Sequence, residues 1–156
     1  MKNIIILNII GAAIATAVLL PLALAPSQAH EIDKDAIYQA ANESPEKLRL
    51  LLNQGGSINA VDTAGDTALM HAATQNNEAA AQRLIDNGAD VNARNEHGET
   101  ALIQAAETGS VDVVCLLLSV EADLNIRDDE GKTALQKAAE ADHADIAGII
   151  GRAGGQ

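Results

Sequence analysis

The closest approach in this chain to a nucleophile with a base is the single cysteine, Cys115, taken with His97 or His143. A thiol becomes reactive when a nearby imidazole takes its proton, which requires hydrogen-bond reach between the two. The spacing does not supply that reach, because the periodicity described below puts Cys115 on a helix, His97 on a loop and His143 beside a turn. The run Asp128-Asp129-Glu130 offers oxygen ligands to a cation. It lacks the spaced ligands and tight Gly turn of a dedicated calcium loop, so it predicts weak, occasional cation binding and no structural metal. His30 would pair an amine with an imidazole if residues 1–29 were removed, and such a pair chelates copper(II). A robust copper site needs a further nitrogen or soft ligand, and His71, the nearest other histidine, has no reason to face the N-terminus. The sequence therefore predicts no catalytic residues, no bound metal and no cofactor.

These residues are positioned by a repeat. Gly-x-Thr-Ala-Leu occurs at Gly65–Leu69, Gly98–Leu102 and Gly131–Leu135, each copy 33 residues after the last. Ala72-Ala73 returns as Ala105-Ala106 and Ala138-Ala139, and the pair Asp90 and Asn92 returns as Asp123 and Asn125. A period of that length means stacked units, which present a long surface and seldom build a closed pocket. Thr67, Thr100 and Thr133 stand where each can cap the free N–H groups of a starting helix. Residues 69, 72 and 73 then share one helical face, while Ala80, Ala81, Leu84 and Ile85 make the matching face of a second helix. Val113, Val114, Leu117 and Leu118 repeat that second face. Asn76, Gly109 and Asp142 between the helices are types that tolerate a left-handed turn. Helices this short do not persist alone in water, so stacking must stabilise them.

Thr67-Ala-Leu-Met-His-Ala-Ala73 and its copies resemble the Thr-Pro-Leu-His-x-Ala-Ala signature of ankyrin repeats, and Asn87–Ala93 resembles that family's helix-to-finger turn. The resemblance implies an all-α solenoid of four helix pairs with projecting β-hairpin-like fingers, preceded here by a signal peptide. The repeats would span about 33–61, 62–94, 95–127 and 128–156. The first is degenerate: Ile37–Ala41 aligns with Leu69–Ala73, one residue is lost before Gly55, and Ser44-Pro45 supplies a cap and a first helical position. Three departures stand out. The signature Pro is Ala at 68, 101 and 134, and its His is Met70, Ile103 and Gln136, which puts the family's His-linked bonds between repeats in doubt. Glu121 occupies the place of Gly55, Gly88 and Gly154, where left-handed backbone is expected. Gly148 and Gly151 predict fraying of the last helix.

The resemblance places partner contacts on the fingers and the adjoining face of the first helices. The matching positions are Thr63, Ala64, Asp66, Thr74 and Gln75; then Glu96, His97, Glu99, Glu107 and Thr108; then Asp129, Glu130, Lys132, Glu140 and Ala141. Seven of these fifteen are acidic against one Lys, which fits a protein partner carrying a basic patch. The formal charge of −12 opposes binding to nucleic acid or to anionic membranes. Tyr38 is the only aromatic, so aromatic anchors would have to come from the partner.

Residues 1–29 read as a signal peptide: Lys2, an apolar run from Ile4 to Ala25, and small residues at Ser27 and Ala29. Cleavage after Ala29 would leave a domain of residues 30–156 with no stable membrane anchor, bacterial and periplasmic; an uncleaved anchor is the lesser reading. Cys115 aligns with Arg49, Gln82 and Gly148, so it should face outward, where it could link two chains in an oxidising compartment. The sequence thus predicts a non-catalytic interaction module in the cell envelope. The alternative is an accessory factor in periplasmic oxidant or metal defence that uses His30 or Cys115.

Overall fold

In the computed structural model, residues 34–154 are described. They form eight helices: α1 (Lys34–Glu43), α2 (Pro45–Asn53), α3 (Ala68–Thr74), α4 (Glu78–Asp86), α5 (Ala101–Thr108), α6 (Val111–Ser119), α7 (Ala134–Glu140) and α8 (Ala144–Arg152). Consecutive helices pair, and the pairs stack. The first helices α1, α3, α5 and α7 form one layer, and α4, α6 and α8 pack as neighbours in the second. The β-hairpin-like fingers contain no named strand among the described residues, only an isolated antiparallel bridge between Val61 and Thr67.

The expected caps are present. The Oγ1 of Thr67 accepts from the N–H of Met70, and that of Thr100 from the N–H of Ile103, both at 3.3 Å. Ser44 Oγ accepts from the N–H of Lys47 at 3.2 Å, with Pro45 opening α2. Two of the three departures at the signature His, Met70 and Gln136, act locally. Met70 Sδ and Gln136 Oε1 each fold back to the N–H of the capping Thr, at 3.4 and 3.0 Å. They close their own helix start where the family residue would link repeats.

The small residues set the spacing. Ala72, Ala73, Ala105 and Ala106 are fully buried, so neighbouring first helices approach closely. Leu69, Leu84, Leu102, Leu117, Ile146 and Ile150 fill the space between the layers. Ala139, the last member of the Ala column, is exposed. Gly148 and Gly151 do not interrupt α8, which continues to Arg152.

Left-handed backbone occurs at Asn76 (φ 50°), Gly109 (φ 82°) and Asp142 (φ 61°), the three inter-helix positions. Glu121 has φ 58°, matching the glycines at 55, 88 and 154. A side chain there strains the backbone, and Glu121 is exposed, so nothing offsets the cost. Glu121→Gly is expected to raise the unfolding free energy by about 1 kcal/mol, read from urea denaturation. An unchanged or lower midpoint would count against this account.

Candidate functional site

Each finger is built on an acid or amide at its base. Asp62 Oδ1 accepts the N–H groups of Ala64 and Asp66, both at 2.9 Å. Asn95 Oδ1 does the same for His97 and Glu99 at 3.0 and 2.9 Å, and Asp128 Oδ1 for Glu130 and Lys132 at 3.0 and 2.8 Å. One oxygen satisfying two backbone donors fixes the turn. The fingers are then tied to each other: the N–H of Glu96 donates to Ala64 O, and that of Asp129 to His97 O, both at 3.0 Å. At the opposite bend, Asn59 Oδ1 accepts the N–H of Asp90, and Asn92 Oδ1 that of Asp123, both at 2.9 Å. The recurring Asp and Asn residues thus stitch repeat to repeat.

The first helices carry a polar residue at one repeated position: Gln39, His71, Gln104 and Lys137. Gln104 is buried, and its Nε2 donates to Asp66 Oδ1 at 3.0 Å and Glu99 Oε2 at 3.3 Å. Asn95 Nδ2 reaches the same two carboxylates at 2.8 and 3.1 Å. Lys137 is also buried, with its Nζ 3.2 Å from Asp128 Oδ2, 3.7 Å from Glu130, 3.8 Å from Glu99 and 3.9 Å from Glu107. Lys132 pairs with Glu140 at 2.6 Å and with Glu130 at 3.0 Å. Asp66, Asn95, Glu99, Gln104, Lys137, Asp128, Glu130, Lys132 and Glu140 therefore form one connected network across three repeats.

Charge pairing decides the protonation states here. Burial alone would push Asp128 up, but the N–H of Lys132, the Lys137 ammonium and the N–H of Glu130 hold it below the usual value. Lys137 would be lowered by burial, yet Asp128, Glu107 and Glu130 raise it. Lys132 is raised by its hydrogen bonds to Glu140 and Glu130, and Glu130 is lowered by Lys132 and then Lys137. All four groups stay charged at neutral pH.

This corrects two expectations. Asp128 is not a loose cation ligand: one oxygen closes its finger and the other holds Lys137. Among the described residues no group of three or more His, Cys, Asp or Glu could hold a metal ion. The acidic stripe is also less free than its composition implies, since Glu99, Glu107 and Glu130 surround Lys137, Glu140 meets Lys132, and Asp129 lies 3.6 Å from Arg94. Glu96 and Thr63 are exposed on their fingers.

The remaining expected contact residues divide. Ala64 and His97 lend carbonyls to the finger ladder. Thr74 and Thr108 turn their hydroxyls onto their own helices, at His71 O and Gln104 O, and so are weak partner donors. Ala141 is the C-cap of α7. Gln75 bridges Tyr38 and His71, which are not among the expected contacts. Cys115 is exposed on α6, His97 sits on a finger, and His143 rests over Gly109 with Nε2 3.2 Å from Glu107 O, so the three have separate surroundings. His30 and the expected signal peptide lie outside the described residues. No described helix is long and apolar enough to cross a membrane.

The helix pairs, ladders and fingers are those of a repeat family whose model, for ankyrin repeats in three copies, matches residues 16–95, 36–128 and 94–151. The chain belongs to the ankyrin-repeat family. Comparison with curated proteins returned no match. In this ankyrin protein the residue that sequence reading missed is Lys137. Its signal was present: a polar residue recurring at one repeat position, Gln39, His71, Gln104 and Lys137, beside the apolar face of each first helix.

Proposed function

We propose that this ankyrin-repeat protein is a non-catalytic interaction module that binds a protein partner through the acidic surface of its fingers and first helices. The observation that carries the reading is the network through Lys137, Gln104 and the finger bases. It fixes acidic side chains from successive repeats in one preformed array, so little ordering is needed when a partner docks. A basic patch suits such an array, with steering that weakens in salt. The setting we propose is the bacterial periplasm, after cleavage following Ala29, on the strength of Ser27-Gln28-Ala29 behind the apolar run.

Glu99 and Glu130 hold Lys137, so reversing them would disturb the fold as well as the surface. Glu96 is exposed, and the Asp129–Arg94 pair is a surface contact. A crosslinked pull-down from native envelopes is expected to capture a partner with the wild type and to lose it with Glu96→Lys/Asp129→Lys, while unfolding stability stays within about 0.5 kcal/mol. Recovery of the same protein by both forms would refute this surface. Mass spectrometry of the purified protein should find His30 as its first residue.

A further inference from the structure

We infer that His71 controls the hydrogen-bonding sense of Gln75 by its protonation, making the first half of the contact surface responsive to pH. Gln75 Oε1 is committed to Tyr38, whose O–H donates to it at 2.8 Å. Its Nε2 therefore meets His71 Nε2, at 2.9 Å. An amide N–H donates only to an unprotonated ring nitrogen, so this arrangement requires neutral His71 with its proton on Nδ1. The chain of bonds continues beyond Tyr38. Asn77 Nδ2 donates to the Tyr38 hydroxyl at 3.3 Å and to Asn42 Oδ1 at 2.8 Å, while Asn77 Oδ1 caps α4 through the N–H of Ala80 at 3.1 Å.

Protonated His71 would turn a second donor toward the Gln75 amide. Gln75 must then rotate to offer Oε1 to the imidazolium, which takes the acceptor away from Tyr38. The tyrosine packs edge-on against the same imidazole, with ring centroids 4.5 Å apart and planes 80° apart, so it feels the charge directly. From α1, Tyr38 faces His71. On the other packed elements, Arg83 of α4 donates to Ala41 O, Asp112 of α6 accepts from Asn76, and Glu107 of α5 lies 3.9 Å from Lys137; Asp66 of the adjoining finger accepts from Asn95 and Gln104. Gln104, the residue of α5 matching His71, turns its amide to Asp66 and Glu99.

That Gln75 contacts a partner rests on the function proposed above; the relay itself does not, and it can be read without any partner. Tyr38 is the only Tyr, Trp or Phe in the chain, so intrinsic emission reports this contact alone. Emission of the full chain is expected to change in one step as the solution is acidified. The step should vanish in His71→Gln and persist in His30→Gln, His97→Gln and His143→Gln. If His71→Gln fails to fold, Gln75→Met decides. In the wild type the side-chain amide signals of Asn77 should move with the His71 ring signals in an NMR titration, and in Gln75→Met they should not. A flat emission profile, a step that survives His71→Gln, or an Asn77 response that survives Gln75→Met would overturn the inference. Failure to find a partner would leave these readings intact and count only against the function.

Discussion

Lys137→Met is expected to lower the unfolding free energy by about 3 kcal/mol, since removing one partner of a buried pair leaves the other desolvated and unpaired. The side chain of Asp128 is only 2% exposed, so water cannot take the place of the ammonium. The effect has a defined pH dependence. Asp128 is held below its ordinary value of 3.8, so its contribution is complete above that pH and lost as pH falls through the lower folded value. Lys137 is raised above 10.5, so its contribution is complete below that pH and lost as pH rises through the folded value. Urea denaturation across pH should show a wild-type plateau between these limits, and the variant, whose Asp128 lacks the ammonium that lowers it, should lose less stability on the acid side than the wild type. The third repeat indicates how to repair the loss. There Asn95 and Gln104 occupy the positions of Asp128 and Lys137, and Asn95 closes its finger with the same two bonds. Asp128→Asn/Lys137→Gln should therefore recover to within about 1 kcal/mol of wild type, an uncharged copy of the same joint. A single variant as stable as wild type would remove the ion pair from this account.

Gly65→Ala is expected to cost about 2–4 kcal/mol, and Gly131→Ala only about 1–2. Both glycines have left-handed backbone, at φ 77° and 79°. A methyl at Gly131 would meet nothing within 4 Å, so backbone strain is its whole effect. A methyl at Gly65 would lie 2.9 Å from Glu96 N and 3.2 Å from Asn95 Cα. That is backbone of the next finger, the same N–H that donates to Ala64 O, so the ladder bond must stretch or break. The two variants share one chemical change and differ in whether the added methyl meets a neighbouring finger. Equal losses in urea unfolding would mean that the fingers do not touch as described.

The sequence made the architecture readable because each repeat needs the same few backbone solutions. Thr67 and Thr100 cap where they were expected to, Asn76, Gly109 and Asp142 turn left-handed, and Glu121 follows the backbone of its glycine equivalents. Local rules govern these positions, and 33-residue spacing confirms them. The charge chemistry was harder to see. Lys137 meets Glu99 and Glu107, 38 and 30 positions earlier, on different elements, so no local pattern joins them. Asp128 misled for a related reason: its neighbours Asp129 and Glu130 suggested a solvent-facing cation site, whereas the column Asp62, Asn95 and Asp128 marks a finger base. Met70 and Gln136 were read as missing inter-repeat bonds, and their local use at the helix start depends on side-chain directions that composition does not carry.

The stitching by Asn59 and Asn92 has a corollary for how such a chain can grow. Each carboxamide offers its oxygen to an N–H 31 positions ahead, and each receiving segment carries the next asparagine, so the upper edge of one block is a mould for the lower edge of another. A tandem duplication of residues 95–127 would find Asn92 behind it and present Asn125 ahead of it, with no seam to redesign. Length is therefore a free variable of this scaffold: gene duplication can extend its reach toward a larger target without inventing a new joint.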